Sequence, residues 1–280
     1  MPNGSTDNSF NSPSSSNFVS LESLQLQPDG KIIVGGSLTS LGGAARTGIG
    51  RLNTDGTVDN AFNPTLNGTH VKTFCINADG KIVIAGRFSQ VNGGGRNSIA
   101  RLNSNGSLDT TFSSPFSEGT AIYAMLQQTG GKLLVVYQDQ TVANLSRMIR
   151  LNTDGKPDYT FTPVLFDGIP LSLASDSTNV YAIGSFSRVN TTVRNNITKI
   201  QAQVYTPTYT FNGTGNWSDS ANWLGGQIPP NPVPAGSVVL VNPSTGGSCT
   251  FNGSLTISPG ATLLIPPNVN FTVNGNIIYL

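Results

Sequence analysis

Apolar and polar residues alternate over short stretches, and the same arrangement returns about every fifty residues through the first 200 positions. Over 20–27, Leu alternates with polar residues, and 31–38 is an almost continuous apolar run. Both read as β-strands, a and b. Between them lies Gln27-Pro-Asp-Gly30, whose Pro and Gly suit a type I turn followed by a left-handed Gly, the three-residue hairpin connection with a bulge. A Gly- and Ala-rich loop over 39–47 leads to a third strand, c, over 48–53. Asn53-Thr-Asp-Gly56 repeats the turn chemistry, and 57–62 reads as a fourth strand, d. Two such hairpins predict one four-stranded antiparallel sheet per repeat.

The copies run over about 20–62, 70–112, 120–161 and 169–204. Gly30 and Gly80 correspond, as do Phe62, Phe112 and Phe161, and as do Arg51, Arg101 and Arg150, with Lys199 in the fourth copy. The third copy has Thr129-Gly-Gly131 in place of the first turn. The fourth loses the pattern at Gln201-Ala-Gln-Val-Tyr. A period of this size, built from a unit that cannot bury its own face, predicts a β-propeller or array of about four four-stranded blades. The segment 3–12 carries an isolated c–d turn and strand d, with Asp7 and Phe10 matching Asp59 and Phe62. It is expected either to complete the last blade and close the ring or to be the stub of a further repeat. The tight a–b and c–d turns fall on one face, and the longer b–c and d–a connections fall on the other, the customary binding side.

Charge locates the second domain. The chain has 15 Lys and Arg and 14 Asp and Glu, and of these 29 only Asp219 lies beyond residue 200. Charged residues make up 10% of the chain, against about 25% in typical soluble proteins. Residues 1–204 therefore form the repeat domain, and 205–280 form an uncharged one. Its short alternating stretches near 237–241, 254–257, 261–265, 269–273 and 276–280 are separated by Pro-Gly, Pro-Asn and Asn-Gly turns, which suits a small β-solenoid, β-helix-like or sandwich domain. A net charge of +1 offers no case for nucleic acid. No apolar run is long enough to span a membrane as a helix. The polar start lacks a signal-peptide core and falls inside a repeat, as expected of a chain excised from a longer protein.

Candidate chemistry is sparse. If residues 54–56 form a three-residue turn, Asn53 opposes Thr57, and Arg51 faces Asp59. The same count pairs Arg101 with Asp109 and Arg150 with Asp158, which reads as a structural ion pair repeated in each copy. The Asn-x-Asp-Gly-x-x-Asp string lacks the further carboxylates of a calcium loop, so no metal is expected. The b–c loops repeat an Arg at 46, 96 and 194, and with Asn92 these could face an anionic glycan. Trp217 and Trp223, in a polar stretch, could stack on sugars. The bland alternative has the Arg side chains bonding loop carbonyls of the next blade and the Trp side chains capping the second domain. Cys75, Cys249 and the single histidine, His70, form no metal or nucleophile motif, and no cofactor is implied.

The strings Leu-Gln-Pro-Asp-Gly-Lys-Ile-Ile-Val-Gly-Gly at 26–36 and Arg-Leu-Asn-Thr-Asp-Gly-Thr-Val-Asp-Asn-Ala-Phe at 51–62 resemble the delta-60 repeat family of large bacterial secreted and surface proteins. Gly215-Asn-Trp-Ser-Asp-Ser-Ala-Asn-Trp223 with Leu255-Thr-Ile-Ser-Pro-Gly-Ala-Thr-Leu is similar to stretches of Bacteroidetes-type surface proteins. The resemblance implies an extracellular or cell-surface, non-catalytic scaffold or binding module. Its expected partner is a glycan or another surface protein, as in adhesion. The alternative is an accessory domain of a polysaccharide-degrading enzyme whose catalytic part lies elsewhere.

Overall fold

A computed structural model of the chain describes residues 4–13, 20–140, 142, 144–176, 179–201, 207–244, 246–266 and 269–280. The chain divides into two compact units, Met1–Pro157 with Pro163–Ala202 and Asp158–Thr162 with Gln203–Leu280. No helix of the described residues is long and apolar enough to cross a membrane.

The first unit is four antiparallel meanders. Strands β1 (Ser20–Leu26), β2 (Ile32–Ser37) and β3 (Ile49–Leu52) form the first repeat. The second consists of β4 (His70–Ile76), β5 (Ile82–Arg87) and β6 (Ile99–Leu102). The third has β7 (Ile122–Gln127), β8 (Leu133–Gln138) and β9 (Ser146–Leu151). The fourth has β10 (Ile169–Ser175), β11 (Asn179–Ser185) and β12 (Ile197–Gln201). The a–b turn closes as its sequence dictates, with Gln27 N donating to Lys31 O at 2.7 Å and Gly30 N to Gln27 O at 2.9 Å.

No strand forms directly after the c–d turn, where the sequence predicts one over 57–62 and its counterparts. Single bridges, Leu52 to Val58, Leu102 to Leu108 and Leu151 to Pro157, stand in its place. Beyond each bridge the chain turns. Asp59 Oδ1 accepts from Ala61 N at 3.0 Å, and Phe62 N donates to Asp59 O at 3.3 Å. An aspartate that captures the N–H two residues on offers the backbone an alternative to the sheet ladder, and here that alternative wins. The sheets of the first two repeats are therefore three-stranded, and the Asp-x-x-Phe turn carries Phe62 and Phe112 toward the following repeat. In the third repeat Val164–Phe166, beyond that turn, pairs antiparallel with Ser146–Leu151 as a fourth strand.

The Gly-rich b–c loops are also more ordered than expected. They form short hairpin arms, Ser40–Leu41 with Ala44–Ala45, Gln90–Val91 with Gly94–Gly95 and Arg188–Val189 with Thr192–Val193. The second arm pairs with the chain leaving the first repeat through Leu66 and Val91, and the fourth repeat's arm pairs with the chain leaving the third through Val189 and Phe166.

Apolar cores lie between consecutive repeats. Ile33, Ile49 and Phe62 of the first pack with Phe74, Ile82, Ile84 and Leu102 of the second. Val83, Ala85, Ile99 and Phe112 of the second pack with Ile122, Leu133, Val135 and Leu151 of the third. Burial of such side chains contributes about 1.5–3 kcal/mol each. Residues 4–13 lie on the first repeat. Phe10 joins Val34, Leu38, Leu41 and Leu52, and Asn11 N donates to Asp55 O at 2.7 Å.

The second unit pairs its strands in parallel. Tyr209–Phe211 (β13), Val238–Val241 (β15) and Thr262–Leu264 (β18) make one sheet. Gly215–Asn216 (β14), Ser248–Asn252 (β16) and Asn270–Asn274 (β19) make a second. Leu255–Ile257 (β17) and Ile277–Tyr279 (β20) make a third. The chain visits the three sheets in rotation, so Val239, Val241, Cys249, Leu255 and Ile257 point into one core.

Candidate functional site

The repeated charged residues form a cradle at each of the first two joints between repeats. Asp59 Oδ2 accepts from Arg51 Nε at 2.9 Å and from Lys31 Nζ at 2.7 Å. Arg51 Nη1 continues to Ser104 O in the second repeat at 2.7 Å, and its guanidinium lies 4.6 Å from the centre of the Phe62 ring. The second copy repeats the set. Asp109 Oδ2 takes Arg101 Nε at 2.7 Å and Lys81 Nζ at 2.8 Å, Arg101 Nη1 reaches Thr153 O, and the ring beneath is Phe112. Burial alone would raise the Asp109 carboxyl, but donors from Lys81, Thr111 and Arg101 outweigh it and hold the group well below its ordinary range. Asp59 is lowered in the same way, against its own burial, by Lys31, the Ala61 amide and Arg51. Arg150 and Asp158 are likewise buried, and Asp158 Oδ1 accepts from Thr160 N and Oγ1. Every carboxylate oxygen of the first two cradles accepts at least one bond from a donor of the scaffold.

The arm residues are engaged too, the arginines within their own repeat rather than with the next blade and Asn92 also with the chain leaving the repeat before it. Arg46 is buried, with Nη1 on Ala45 O at 2.7 Å and Nη2 on Asn60 Oδ1 at 3.0 Å. Arg96 Nη1 donates to Gly95 O at 2.6 Å and Nη2 to Thr110 O at 3.4 Å, while Arg194 Nη1 donates to Val193 O at 2.9 Å. Asn92, at φ 49°, heads the arm turn. Its Oδ1 accepts from Thr65 N at 2.8 Å, and its Nδ2 donates to Gly106 O at 3.0 Å.

Trp217 and Trp223 are not a sugar-stacking platform. Both are 3% exposed, and they meet edge to face with centroids 4.7 Å apart. Trp223 packs on Phe211 and Trp217 on Phe251, and Trp223 Nε1 donates to Trp217 O at 2.6 Å. Their large faces are worth more inside the second unit than in water. The thiols of Cys75 and Cys249 are both free, and burial pushes each up to about 12.

Two open clefts flank the segment 95–98. One, of about 390 Å³, is lined by Asn67, Arg87, Ser89, Ser98, Glu118 and Thr120 among others. The other, of about 410 Å³, is lined by Arg96, Asn97, Thr110, Phe112, Ser113 and Ser114 among others. The side chains of Arg87 and Glu118 make no hydrogen bond or ion pair among the described residues, so they are free to meet a polar ligand. Sequence reading missed both. Neither position belongs to the repeated pattern, which was the only signal available.

The family described as "Domain of unknown function (DUF5122) beta-propeller" matches residues 27–62, 78–112 and 140–161, one match in each of the first three repeats. The chain is thus an all-β protein carrying propeller-type repeats. No curated protein matches it. Among solved structures it is similar to the computationally designed Ika4 protein, at 8% identity and a TM-score of 0.45, over 70% of this chain and 99% of that one. It is also similar to a catalytically inactive virginiamycin B lyase from Staphylococcus aureus crystallised with quinupristin, at 14% identity and a TM-score of 0.42, over 70% of this chain and 59% of the lyase.

Proposed function

We propose that the chain is a non-catalytic, extracellular scaffold and binding module, made of four propeller repeats and a short β-solenoid, and that it takes a glycan in the clefts beside residues 95–98. The observation that carries this reading is the division of labour among polar side chains. The repeated Arg, Asp and Lys residues hold the repeats together, while Arg87 and Glu118, outside the pattern, line an open cleft with Asn67 and Ser89. Loops and arms held by a rigid repeat scaffold are where binding function concentrates. The resemblance to delta-60 repeat and Bacteroidetes-type surface proteins supports the surface location and the role in adhesion.

The test is a glycan array with the purified chain and with the Arg87→Ala/Glu118→Ala variant. Binding that falls at least tenfold in the variant, with an unchanged unfolding midpoint, supports the reading. A wild-type chain that binds no glycan, or a variant that binds as well as wild type, refutes it.

A further inference from the structure

The joint between repeats is made of two faces, and the first and fourth repeats each expose one of them. The trailing face is set by Ile49 and Ile99, which pair with Gly35 and Ala85 and are fully buried against the next repeat. In the fourth repeat the same register position is Ile197, paired with Ile183, and these two side chains are 63% and 49% exposed. The leading face is set by Phe74 and Ile76, paired with Ile84 and Ile82 and packed against the first repeat. Its counterparts in the first repeat are Leu24 and Leu26, paired with Val34 and Ile32, and they are 74% and 65% exposed.

The polar parts are divided between the two ends in the same way. Lys199, paired with Tyr181, holds the place of Arg51 and Arg101, which pair with Ile33 and Val83. The sequence after Gln201 has no Asp-x-x-Phe turn. Residues 4–13 hold such a turn, seated on the first repeat. Phe10 N donates to Asp7 O at 3.3 Å, and Asp7 Oδ1 takes Ser9 N at 2.9 Å and Ser9 Oγ at 2.6 Å, as Asp109 Oδ1 takes Thr111 N at 3.0 Å and Thr111 Oγ1 at 2.6 Å. Asn11 N sits on Asp55 O, as Ser113 N sits on Asp154 O. Among the described residues no cation reaches Asp7, whose carboxyl is lowered chiefly by the bonds from Ser9.

We propose that two copies of this chain join head to tail. The fourth repeat of one copy seats on the first repeat of the other, with Ile183 and Ile197 against Leu24 and Leu26 and Lys199 against the Asp7 of its partner. The joint continues the interface already present between the internal repeats, and it supplies the fourth repeat with the turn it lacks. A heterologous joint of this kind extends to a ring or a filament according to its rotation.

Light scattering on the 280-residue chain, 29.3 kDa as a monomer, tests the proposal. Wild type is expected to reach at least twice that mass as concentration rises. Leu24→Asp blocks the head and Ile197→Asp the tail. Both side chains are exposed, so circular dichroism of each variant should match wild type. Each variant alone is expected to stay monomeric, and an equimolar mixture to form a one-to-one pair and nothing larger, because only one good joint remains. A wild type monomeric at every concentration overturns the proposal, whether its ends close on each other or stay apart. So does a mixture that stays monomeric, or association that either substitution leaves intact. Lys199→Asp gives an independent arm. It should weaken association at least tenfold and regain it with Asp7→Lys in the same chain, and a failure to weaken removes the polar half of the joint.

Discussion

Arg101 binds Asp109 of its own repeat at 2.7 Å and, through its second nitrogen, the Thr153 carbonyl in the turn of the next repeat. One side chain thus fixes the turn that follows its strand and the spacing to the neighbouring sheet. Arg51 does the same between the first and second repeats. A residue type that recurs with the fold and is consumed by it serves architecture.

The close approach of consecutive repeats predicts unequal costs for two glycines. Gly155 and Gly80 both have positive φ, at 84° and 79°. A Cβ on Gly155 would collide with Ser113 O and the Phe112 ring of the preceding repeat, whereas one on Gly80 would meet only Ser104 Cβ at 3.7 Å. Gly80→Ala should cost about 1 kcal/mol from backbone strain, and Gly155→Ala roughly 1–3 kcal/mol more. Calorimetric unfolding of the two variants measures the difference.

The cradles predict acid sensitivity. The folded carboxyls of Asp59 and Asp109 lie below their ordinary value of 3.8. Their stabilisation is fully present above that value and is lost as pH falls through it toward the folded ones. The unfolding midpoint should be flat from about pH 8 to about pH 5 as far as these groups contribute, and should drop below about pH 4. Asp109→Asn should flatten part of that drop, which a pH series of thermal melts reads directly.

The second unit holds both tryptophans, so tryptophan emission, excited selectively over tyrosine, reports on it alone. Trp217→Ala should destabilise this unit by about 3–5 kcal/mol, the range for emptying a large aromatic site. Trp223→Phe, which keeps most of the packing but orphans Trp217 O, should cost about 1–2 kcal/mol. Urea unfolding followed by tryptophan emission in Trp223→Phe, and by circular dichroism in both variants, gives the two values.

The strands and their turns were legible in the sequence because Asp-Gly turn chemistry and period-two alternation agree, and counting from the turn at 54–56 puts Arg51 opposite Asp59. The strand expected over 57–62 was misread because Val58 continues the alternation by one residue, while the Asp59 side chain then diverts the backbone. The Asp-x-x-Phe spacing carried that information. The arms were misread as open loops although Asn92-Gly93 is a hairpin turn signal. The tryptophans misled for a different reason. They sit among Gly, Asn and Ser, and only the parallel stacking of distant segments brings Phe211, Phe251 and Phe271 around them. The clefts with Arg87 and Glu118 had no local signature at all.

The claim that the conspicuous charges are framework is tested most directly by a double-mutant cycle on Arg101→Met and Asp109→Asn, read by calorimetric unfolding. The account predicts that each single variant is destabilised, that the pair couples by at least about 1 kcal/mol, and that glycan binding is unchanged in the folded variants. Additivity within about 0.3 kcal/mol, together with loss of binding, would contradict it.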